Sequence, residues 1–431
     1  MRHASSFLPE RFLTRHVRSP AVGSSSMLEK VAWHPPLLSG SPMNTVRIAH
    51  ILPWSTVGGT ELGTLRLAEA AASLGFENLL YCPVGSEALR SMLHSHGLVT
   101  CCYRQVEPSY RRPWAYLKAA RRLANDLRRH HVRIVHCADI LAAHYTALAG
   151  FLAGAYVVCH VRCEHSSISA RDRTFLMPVK KFVFVSQDTW NKFGMKVDRS
   201  RGRILYDGFS GGGSATAECP ATAREHYGLP ADAFVIGMAS RVHPCKDFET
   251  LIEAGRILIN RFPNCRILIA GDYKNVPAHR EHHSYLQTLL RESALQDHFV
   301  FAGFEANMER FFAAIDVFAL STYGEGFPLA VIEAMYHTKP VVATSVGGIP
   351  EAVSPDETGY LIPPRSPQQF ADALIRLRED PELYSKMSNA SRRRMEDQFS
   401  AHHFHQSVKD LYCSIARSSH LLGEEPSCLP T

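Results

Sequence analysis

One stretch of the sequence combines the end of an apolar run, a glycine-bearing turn and the start of a helical pattern: STYGEGFPLAVIEA, residues 321–334. The apolar run before it predicts a buried strand, and Pro328 suits a first helical turn, where its missing N–H costs no helix hydrogen bond. The free amides and the positive dipole of such a helix start favour an anion. Two carboxylates, Glu325 and Glu333, flank this predicted anion site.

These two carboxylates have two interpretations. Along a helix they would lie roughly 12 Å apart, and carboxylates accept well-oriented hydrogen bonds from paired hydroxyl groups. Glu325 and Glu333 would then hold the hydroxyl-rich rings at the two ends of a diphosphate-linked ligand. Alternatively, Glu325 only complements the helix dipole and Glu333 is solvated. The stretch by itself favours neither interpretation.

Short apolar runs alternate with helical patterns from residue 45 onward, which predicts parallel sheets covered on both faces. Residues 207–218 are rich in Gly, Ser and Ala, interrupt the alternation and are the best linker candidate. The sequence therefore predicts an α/β chain of two doubly wound, Rossmann-like domains with ligands in the cleft beyond the carboxyl ends of the strands. The predicted strands are 46–52, 78–82, 134–136, 157–159, 182–185, 234–238, 266–270, 299–301, 317–320 and 341–343.

The charge is unevenly distributed along the 431 residues, whose net charge is +6. Between Arg104 and Arg133 the sequence has nine Arg or Lys and two Asp or Glu. One local basic patch argues against a nucleic-acid-binding protein and for an anionic surface partner. Residues 114–129 predict a basic helix that either contacts an anionic membrane from the cytoplasmic side or is simply solvated.

Three further features bear on location. We expect residues 1–43 to be disordered or to precede the true start, because Met43 stands just before the first strand and no signal-peptide-like run is present. Residues 140–159 are long enough to span a bilayer, but Gly150 and Gly154 interrupt them, which favours a buried helix followed by a strand. The eleven cysteines show no short-spaced framework and predict reduced thiols in a cytoplasmic protein.

A second motif follows the first one along the chain. It has the pattern of a strand, a Gly-Gly turn and a helix start, and its sequence is VVATSVGGIPE, residues 341–351. Together, residues 325–351 resemble the retaining glycosyltransferases of family 4, which have the GT-B fold, and the resemblance covers about residues 45–415. It implies that Glu325 contacts the sugar of a nucleotide-sugar donor and that Glu333 contacts the ribose.

The resemblance also assigns backbone contacts to the donor at Gly326, Phe327 and Leu329. Pro328 is a departure, because many members have glycine at this position. Proline has no amide to donate, so that one contact to the donor sugar is not carried over.

A third motif, ASRVHPCKD at residues 239–247, follows the first strand of the second domain. It resembles the family's Arg and Lys pair, which implies that Arg241 and Lys246 neutralise the donor diphosphate. Cleavage of the glycosyl bond leaves negative charge on that group, and fixed cations stabilise it without a metal. Asp247 departs from the family, which usually has Lys-Gly here; a solvated basic loop is the alternative.

In the first domain, Gly58 and Gly59 join the first strand to its helix and allow close backbone approach. The resemblance implies a loop that closes over the donor phosphate and the acceptor, although a plain turn explains two glycines equally well. His160 matches the family's histidine beside the donor sugar, with His165 as the alternate, and a buried structural histidine is the competing interpretation. With Cys159 and Cys163 these residues lack the second half of a metal site, so we expect no metal.

The resemblance predicts an acceptor domain at residues 44–208, a donor domain at 209–397, and a helix at about 398–418 that returns to the first domain. It predicts a retaining, metal-independent hexosyltransferase without cofactor. The acceptor would be a glycan, a lipid-linked molecule or a small molecule in cell-surface polysaccharide or glycolipid synthesis. The alternatives are a nucleotide-sugar epimerase or hydrolase, or a non-catalytic binding protein. A dinucleotide oxidoreductase is disfavoured, since no Gly-x-Gly-x-x-Gly follows either first strand.

Overall fold

The computed structural model describes residues 45–209, 211 and 218–418. The expectation for residues 1–43 lies outside this range, and so do residues 210 and 212–217 of the predicted linker. The described chain contains two parallel sheets, so the predicted α/β class with two Rossmann-like domains is confirmed.

The first sheet has seven strands in the order β3-β2-β1-β4-β5-β6-β7. Every pair in it is parallel. Two edge strands, β3 and β7, were not predicted, because each carries few apolar residues in a row. The strands are β1 (Arg47–Ile51), β2 (Glu77–Pro83), β3 (Val99–Tyr103), β4 (Val132–Cys137), β5 (Tyr156–Val161), β6 (Lys181–Phe184) and β7 (Gly202–Ile204).

The second sheet has six parallel strands in the order β10-β9-β8-β11-β12-β13. The edge strand β13 was also missed, although it has as many residues as β11 and β12. The strands are β8 (Phe234–Ala239), β9 (Cys265–Ala270), β10 (Phe299–Gly303), β11 (Val317–Leu320), β12 (Val341–Thr344) and β13 (Gly359–Ile362).

Helices connect successive strands and cover the sheets. They are α1 (Gly59–Ser73), α2 (Glu87–Ser95), α3 (Pro113–Arg129), α4 (Ile140–Ala153), α5 (Ala170–Leu176), α6 (Gln187–Asn191), α7 (Pro220–His226), α8 (Phe248–Arg261), α9 (Pro277–Glu292), α10 (Met308–Ala314), α11 (Leu329–Tyr336), α12 (Ile349–Ala352), α13 (Pro367–Glu379), α14 (Pro381–Phe399) and α15 (Ala401–Ser418). The apolar segment from residue 140 forms α4 and then β5, as expected. Within the described residues, no helix combines the length and the apolar character that crossing a membrane requires.

The chain passes between the two sheets twice, and the two passages run side by side. Phe209 N–H donates to the Phe399 carbonyl at 2.9 Å, and Ala401 N–H donates to the Phe209 carbonyl at 3.1 Å. After the second passage, α15 packs on the first sheet, where its apolar residues share a core with β1 and α1. The Tyr412 hydroxyl and His136 Nδ1 lie 2.8 Å apart there.

The strand order determines where a ligand can bind. In each sheet the chain reverses its direction of winding beside the first strand: β1 neighbours both β2 and β4, and β8 neighbours both β9 and β11. Such a switch point opens a crevice at the carboxyl ends of the strands. The loops that leave β8, β11 and β12 at this edge carry the three motifs singled out in the sequence, and the loop that leaves β1 carries Gly58 and Gly59.

Candidate active site

The shortest polar contact of the site joins two of the predicted residues. Lys246, in the loop after β8, donates from Nζ to Glu325 Oε2 at 2.5 Å, and the two side chains are 13% and 21% exposed. They lie 79 positions apart in the sequence. The parallel order of β8 and β11 places their carboxyl-end loops side by side, which explains why they meet.

The backbone of Glu325 rests on the predicted Gly-Gly turn. Gly347 has φ +56°, and a Cβ there would stand 1.7 Å from the Glu325 carbonyl oxygen. A Cβ on Gly348 would stand 2.4 Å from the Gly326 carbonyl oxygen. Only glycine fits at either position, because a side chain there would clash with the Glu325 loop, which packs directly against the turn after β12.

Gly326 has an equivalent role toward the first domain. A Cβ on Gly326 would stand 1.9 Å from the carbonyl oxygen of Arg162, which follows β5. The Glu325 loop therefore touches backbone from both domains, and the site lies where the two sheets face each other.

Arg241 lies two residues beyond β8 and is exposed. The pKa of the nearby Cys245 thiol is raised, chiefly by burial and also by Glu325, while Lys246 and Arg241 lower it. The charges of Arg241, Lys246 and Glu325 thus all influence the Cys245 thiol. Lys246 and Glu325 are in contact, and Arg241 lies in the same loop as Lys246.

Glu333 has a partner that the sequence did not indicate. Arg66 of α1 donates from Nη2 to Glu333 Oε1 at 3.2 Å, although the two residues lie in different domains. Burial raises the pKa of Glu333, and the Arg66 charge and hydrogen bond lower it. The guanidinium of Arg66 also lies over the ring of Phe209, 5.6 Å from its centroid. The sequence carries no signal for Arg66, because nothing in α1 indicates which of its faces meets the second domain.

The start of α11 differs from the expectation. Pro328 is the N-cap and Leu329 the first helical residue, so Glu325 lies off the helix and the helical spacing of about 12 Å does not apply. The Leu329 N–H donates to the Phe327 carbonyl at 3.1 Å and is therefore engaged. The Phe327 ring is buried against Tyr206 and Phe399.

Gly58 and Gly59 lie at the N-terminus of α1. Gly59 is exposed and has open space around its Cβ position, whereas a Cβ on Gly58 would stand 3.2 Å from Glu61 Oε2. Glu61 is only 2% exposed, and its Oε1 has no hydrogen-bond partner among the described residues. Burial raises the pKa of Glu61 to about 7. The loop thus carries a buried carboxyl group that sequence reasoning missed.

His160 lies at the end of β5 and is buried. Its ring centroid is 5.5 Å from that of His136, which in turn is 5.8 Å from that of His50. Burial lowers the pKa of His160 well below its ordinary value, and the charges of Arg162 and His136 lower it further. The three imidazoles form a row within the first domain. A role of His160 beside the donor sugar stays a prediction.

Arg162 and Asp207 form a buried ion pair at the same edge. Arg162 Nη1 donates to Asp207 Oδ2 at 3.1 Å, and the side chains are 9% and 5% exposed. Asp207 stands where the resemblance leads one to expect Asn. The pair fixes the chain just before its first passage between the sheets. Among the described residues, no group of three or more His, Cys, Asp or Glu side chains has the arrangement of a metal site.

Glu351, the last residue of the second motif, joins the two domains. Its carboxylate accepts from the N–H groups of Gln187 and Asp188 at 2.8 and 2.9 Å, and from the Tyr206 hydroxyl at 2.8 Å. Gln187 and Asp188 begin α6, whose own N-cap is Ser186. A carboxylate at a helix N-terminus complements the helix dipole.

Two family models match this chain, one on each domain. Residues 57–208 match the model described as Glycosyltransferase Family 4, and residues 221–394 match the model described as Glycosyl transferases group 1. The second match includes the Lys246–Glu325 pair and both glycines of the turn after β12. The first includes the Gly58-Gly59 loop and Arg66.

Two curated relatives share one description. The D-inositol 3-phosphate glycosyltransferase of Saccharomonospora viridis is 32% identical over 198 residues, which is 44% of this chain and 45% of that protein. The enzyme of the same name from Streptomyces griseus is 34% identical over 176 residues, or 40% of this chain and 37% of its own. The chain thus matches less than half the length of these relatives.

Solved structures extend the likeness to both domains. A glycosyltransferase from Rickettsia africae has a TM-score of 0.77 and 21% identity, and the match covers 87% of this chain and 99% of that one. Anabaena HepE, solved with UDP and glucose, has a TM-score of 0.74 and 21% identity over 86% of this chain and all of its own. These likenesses confirm the GT-B architecture. The two family matches, one on each domain, support a group 1 glycosyltransferase.

Proposed function

We propose that this protein transfers a sugar from a nucleoside diphosphate sugar to a hydroxyl group of an acceptor, with retention of the anomeric configuration and without a metal ion. The acceptor is a glycan, a lipid-linked molecule or a small molecule, in the synthesis of cell-surface polysaccharide or glycolipid in the cytoplasm. The observation that carries the proposal is the Lys246–Glu325 pair at the switch point of the second sheet.

The pair supports this chemistry because it combines a cation with a hydroxyl acceptor. In the proposed complex, Lys246 and Arg241 contact the diphosphate, where negative charge grows as the glycosyl bond breaks. Glu325 accepts hydrogen bonds from the hydroxyl groups of the donor sugar, and Glu333 accepts them from the ribose. Lys246 then exchanges part of its contact with Glu325 for the phosphate.

The reaction balances within the donor and the acceptor. The bond between the anomeric carbon and the β-phosphate oxygen breaks, and the acceptor oxygen bonds to the same face of that carbon. The departing phosphate takes the proton of the acceptor hydroxyl. The protein orients the two substrates, stabilises the leaving group and excludes water when the domains close.

A nucleotide-sugar donor is supported by Anabaena HepE, which has the same architecture and was solved with UDP and with UDP-glucose. The name shared by the Saccharomonospora and Streptomyces relatives points to a phosphorylated polyol as one acceptor class to test. The basic surface of α3 supports a second kind of partner. Its Lys118, Arg121, Arg122, Arg128 and Arg129 are all exposed, and Trp114 is 78% exposed.

We propose that this surface of α3 contacts anionic lipid at the cytoplasmic face of a membrane. Tyr116 takes no part, since it is buried and donates to the His144 carbonyl at 3.1 Å. The wild type should sediment with vesicles that contain phosphatidylserine. A variant in which four arginines are changed to Ala should remain in the supernatant; these are Arg121, Arg122, Arg128 and Arg129. Equal sedimentation of both would contradict the contact.

A thermal-shift screen of UDP, ADP, GDP and their hexose conjugates tests the proposal. At least one diphosphate should raise the unfolding midpoint, because a ligand that binds only the folded state stabilises it. The absence of stabilisation by every compound would contradict a donor site. An epimerase or hydrolase would consume the donor at full rate without acceptor. A binding protein would be stabilised but would release no nucleoside diphosphate with any acceptor.

A further inference from the structure

The backbone at Asp247, the residue after Lys246, has a conformation that few residues adopt. Its φ is +45° and its ψ is +49°, which is the left-handed region. For residues other than Gly, Asn and Asp, this backbone conformation costs about 1–2 kcal/mol. Asp247 is also buried, being 1% exposed. A buried carboxylate in a left-handed turn needs compensating contacts.

Asp247 has such contacts on two sides. Its Oδ2 accepts from the Thr250 hydroxyl at 2.8 Å, and the side chain caps α8. Its Oδ1 accepts from the Tyr323 hydroxyl at 2.7 Å. Tyr323 lies in the loop that carries Glu325, so one carboxylate connects the Lys246 turn to the Glu325 loop.

The main chain reinforces this connection on either side of Lys246. Tyr323 N–H donates to the Cys245 carbonyl at 2.9 Å, and the Ser321 hydroxyl donates to the Lys246 carbonyl at 3.2 Å. The guanidinium of Arg365 lies over the Tyr323 ring, 5.0 Å from its centroid, and restricts the ring from the outside. The two loops are therefore held together close to the Cα of Lys246.

We propose that Asp247 and Tyr323 form a positioning pair, which fixes the Lys246 turn in its left-handed conformation so that the Lys246 ammonium lies between Glu325 and the donor diphosphate. This inference rests on the proposed function, because it assumes that Lys246 contacts phosphate. Neither Asp247 nor Tyr323 touches the substrate in this account. Both act through Lys246.

The competing explanation is that Asp247 only caps α8. The Tyr323→Phe variant separates these two explanations, because it removes the Tyr323 hydroxyl and leaves in place the bonds that Asp247 accepts from the Thr250 N–H and the Thr250 hydroxyl. Burial and the hydrogen bond to Asp247 raise the pKa of Tyr323 to about 12, so the hydroxyl remains a donor over the whole working pH range. Asp247→Gly removes the cap and the Tyr323 contact but suits the left-handed backbone. Asp247→Asn keeps both the backbone preference and an acceptor oxygen.

The test compares two ligands for each variant by calorimetric titration: the nucleoside diphosphate that binds the wild type best among UDP, ADP and GDP, and the matching nucleoside. Tyr323→Phe and Asp247→Gly should each lower the affinity for the nucleoside diphosphate about fivefold, which is the effect of losing one hydrogen bond of about 1 kcal/mol. Affinity for the nucleoside should stay unchanged. Asp247→Asn should restore most of the loss, and Tyr285→Phe on the exposed face of α9 is the matched control.

The positioning pair would be overturned if Tyr323→Phe and Asp247→Gly lowered the affinities for the nucleoside diphosphate and for the nucleoside equally, or lowered neither. Lys246→Ala distinguishes this failure from a failure of the proposed function. If Lys246→Ala weakens the diphosphate while Tyr323→Phe and Asp247→Gly do not, the pair is wrong and the donor site stands. If Lys246→Ala has no effect either, or no diphosphate binds the wild type, the proposed function and this inference both fail.

Discussion

The two carboxylates of one short segment, Glu325 and Glu333, each pair with a cation, but the cations come from different places. Glu325 pairs with Lys246 inside the second domain at 2.5 Å. Glu333 pairs with Arg66 of the first domain at 3.2 Å, and Arg66 is the more exposed partner. One pair holds as long as the second sheet is folded, whereas the other also requires the two domains to be close.

This difference indicates that the donor site has a preassembled part and a part that depends on domain approach. The Lys246–Glu325 part is held by glycine turns and by the contacts of Asp247 and Tyr323. The Arg66–Glu333 part has a single hydrogen bond between domains. Because Arg66 contacts the carboxylate that we assign to the ribose, the donor must share or displace that contact on entry.

The largest expected effect follows from breaking the preassembled pair. Lys246→Ala removes a fixed cation from the leaving group, and loss of one such stabilising group costs about 10²- to 10³-fold in kcat. Glu325→Gln should also remove most turnover, since it changes the acceptor for the sugar hydroxyls. Initial rates with saturating donor and acceptor measure both. Lys386→Ala and Glu382→Gln, both exposed on α14, are the matched controls, and wild-type rates in Lys246→Ala would contradict the assignment.

An intermediate effect should come from the other contact between the domains. Glu351→Ala leaves two backbone N–H groups and the Tyr206 hydroxyl without their partner, and a hydrogen bond to a charged group contributes about 1.5–3 kcal/mol. We expect a lower midpoint of thermal unfolding and a smaller loss in a variant with glutamine. Glu382→Ala serves as the control. An unchanged midpoint would show that Glu351 does not hold the domains together.

The smallest effect is expected for Arg66→Ala, because a partly exposed ion pair contributes at most about 1 kcal/mol. Its signature is instead a change in pH dependence. Burial raises the pKa of Glu333 and Arg66 lowers it, so loss of Arg66 moves that pKa upward. Protonation of Glu333 removes an acceptor for the ribose, so affinity for the nucleoside diphosphate should fall at a higher pH in the variant.

Titrations of the nucleoside diphosphate between pH 5 and 8 measure this shift in wild type, Arg66→Ala and the control Arg133→Ala, which is exposed on β4. Other groups that titrate in this range, such as Glu61, are common to all three proteins and cancel in the comparison. If the acid limb of Arg66→Ala coincides with that of the wild type, Glu333 does not contact the ligand.

The sequence predicted the central elements of the fold well, because buried parallel strands are continuous apolar runs. Helix α8 and strand β11 have the predicted limits, residues 248–261 and 317–320. The edge strands β3, β7 and β13 were missed, because Thr100, Arg203 and Gly359 interrupt or shorten their apolar runs, whereas the edge strand β10 begins with three consecutive apolar residues and was predicted. Apolar periodicity reports burial, so a strand with few consecutive apolar residues leaves only a weak mark on the sequence.

The sequence indicated that the loops after β8 and β11 would meet, because the carboxyl ends of parallel strands share one edge, and Lys246 and Glu325 are in contact there. The roles of Arg241, Lys246 and Glu325 stay predictions. Arg66 and Glu61 were missed, since they lie on a helix whose face toward the other domain cannot be derived from sequence. Asp247 was noticed as a departure, but its left-handed backbone became clear only from the structure, as did the ion pair of Asp207 with Arg162.

The most direct test of the account is the release of nucleoside diphosphate from UDP-glucose, ADP-glucose and GDP-mannose, with and without a panel of polyol and glycan acceptors. We expect release that depends on one of the acceptors in the wild type and falls about 10²- to 10³-fold in Lys246→Ala. Release at the same rate without any acceptor, or equal release by the wild type and Lys246→Ala, would contradict a sugar transferase built on the Lys246–Glu325 pair.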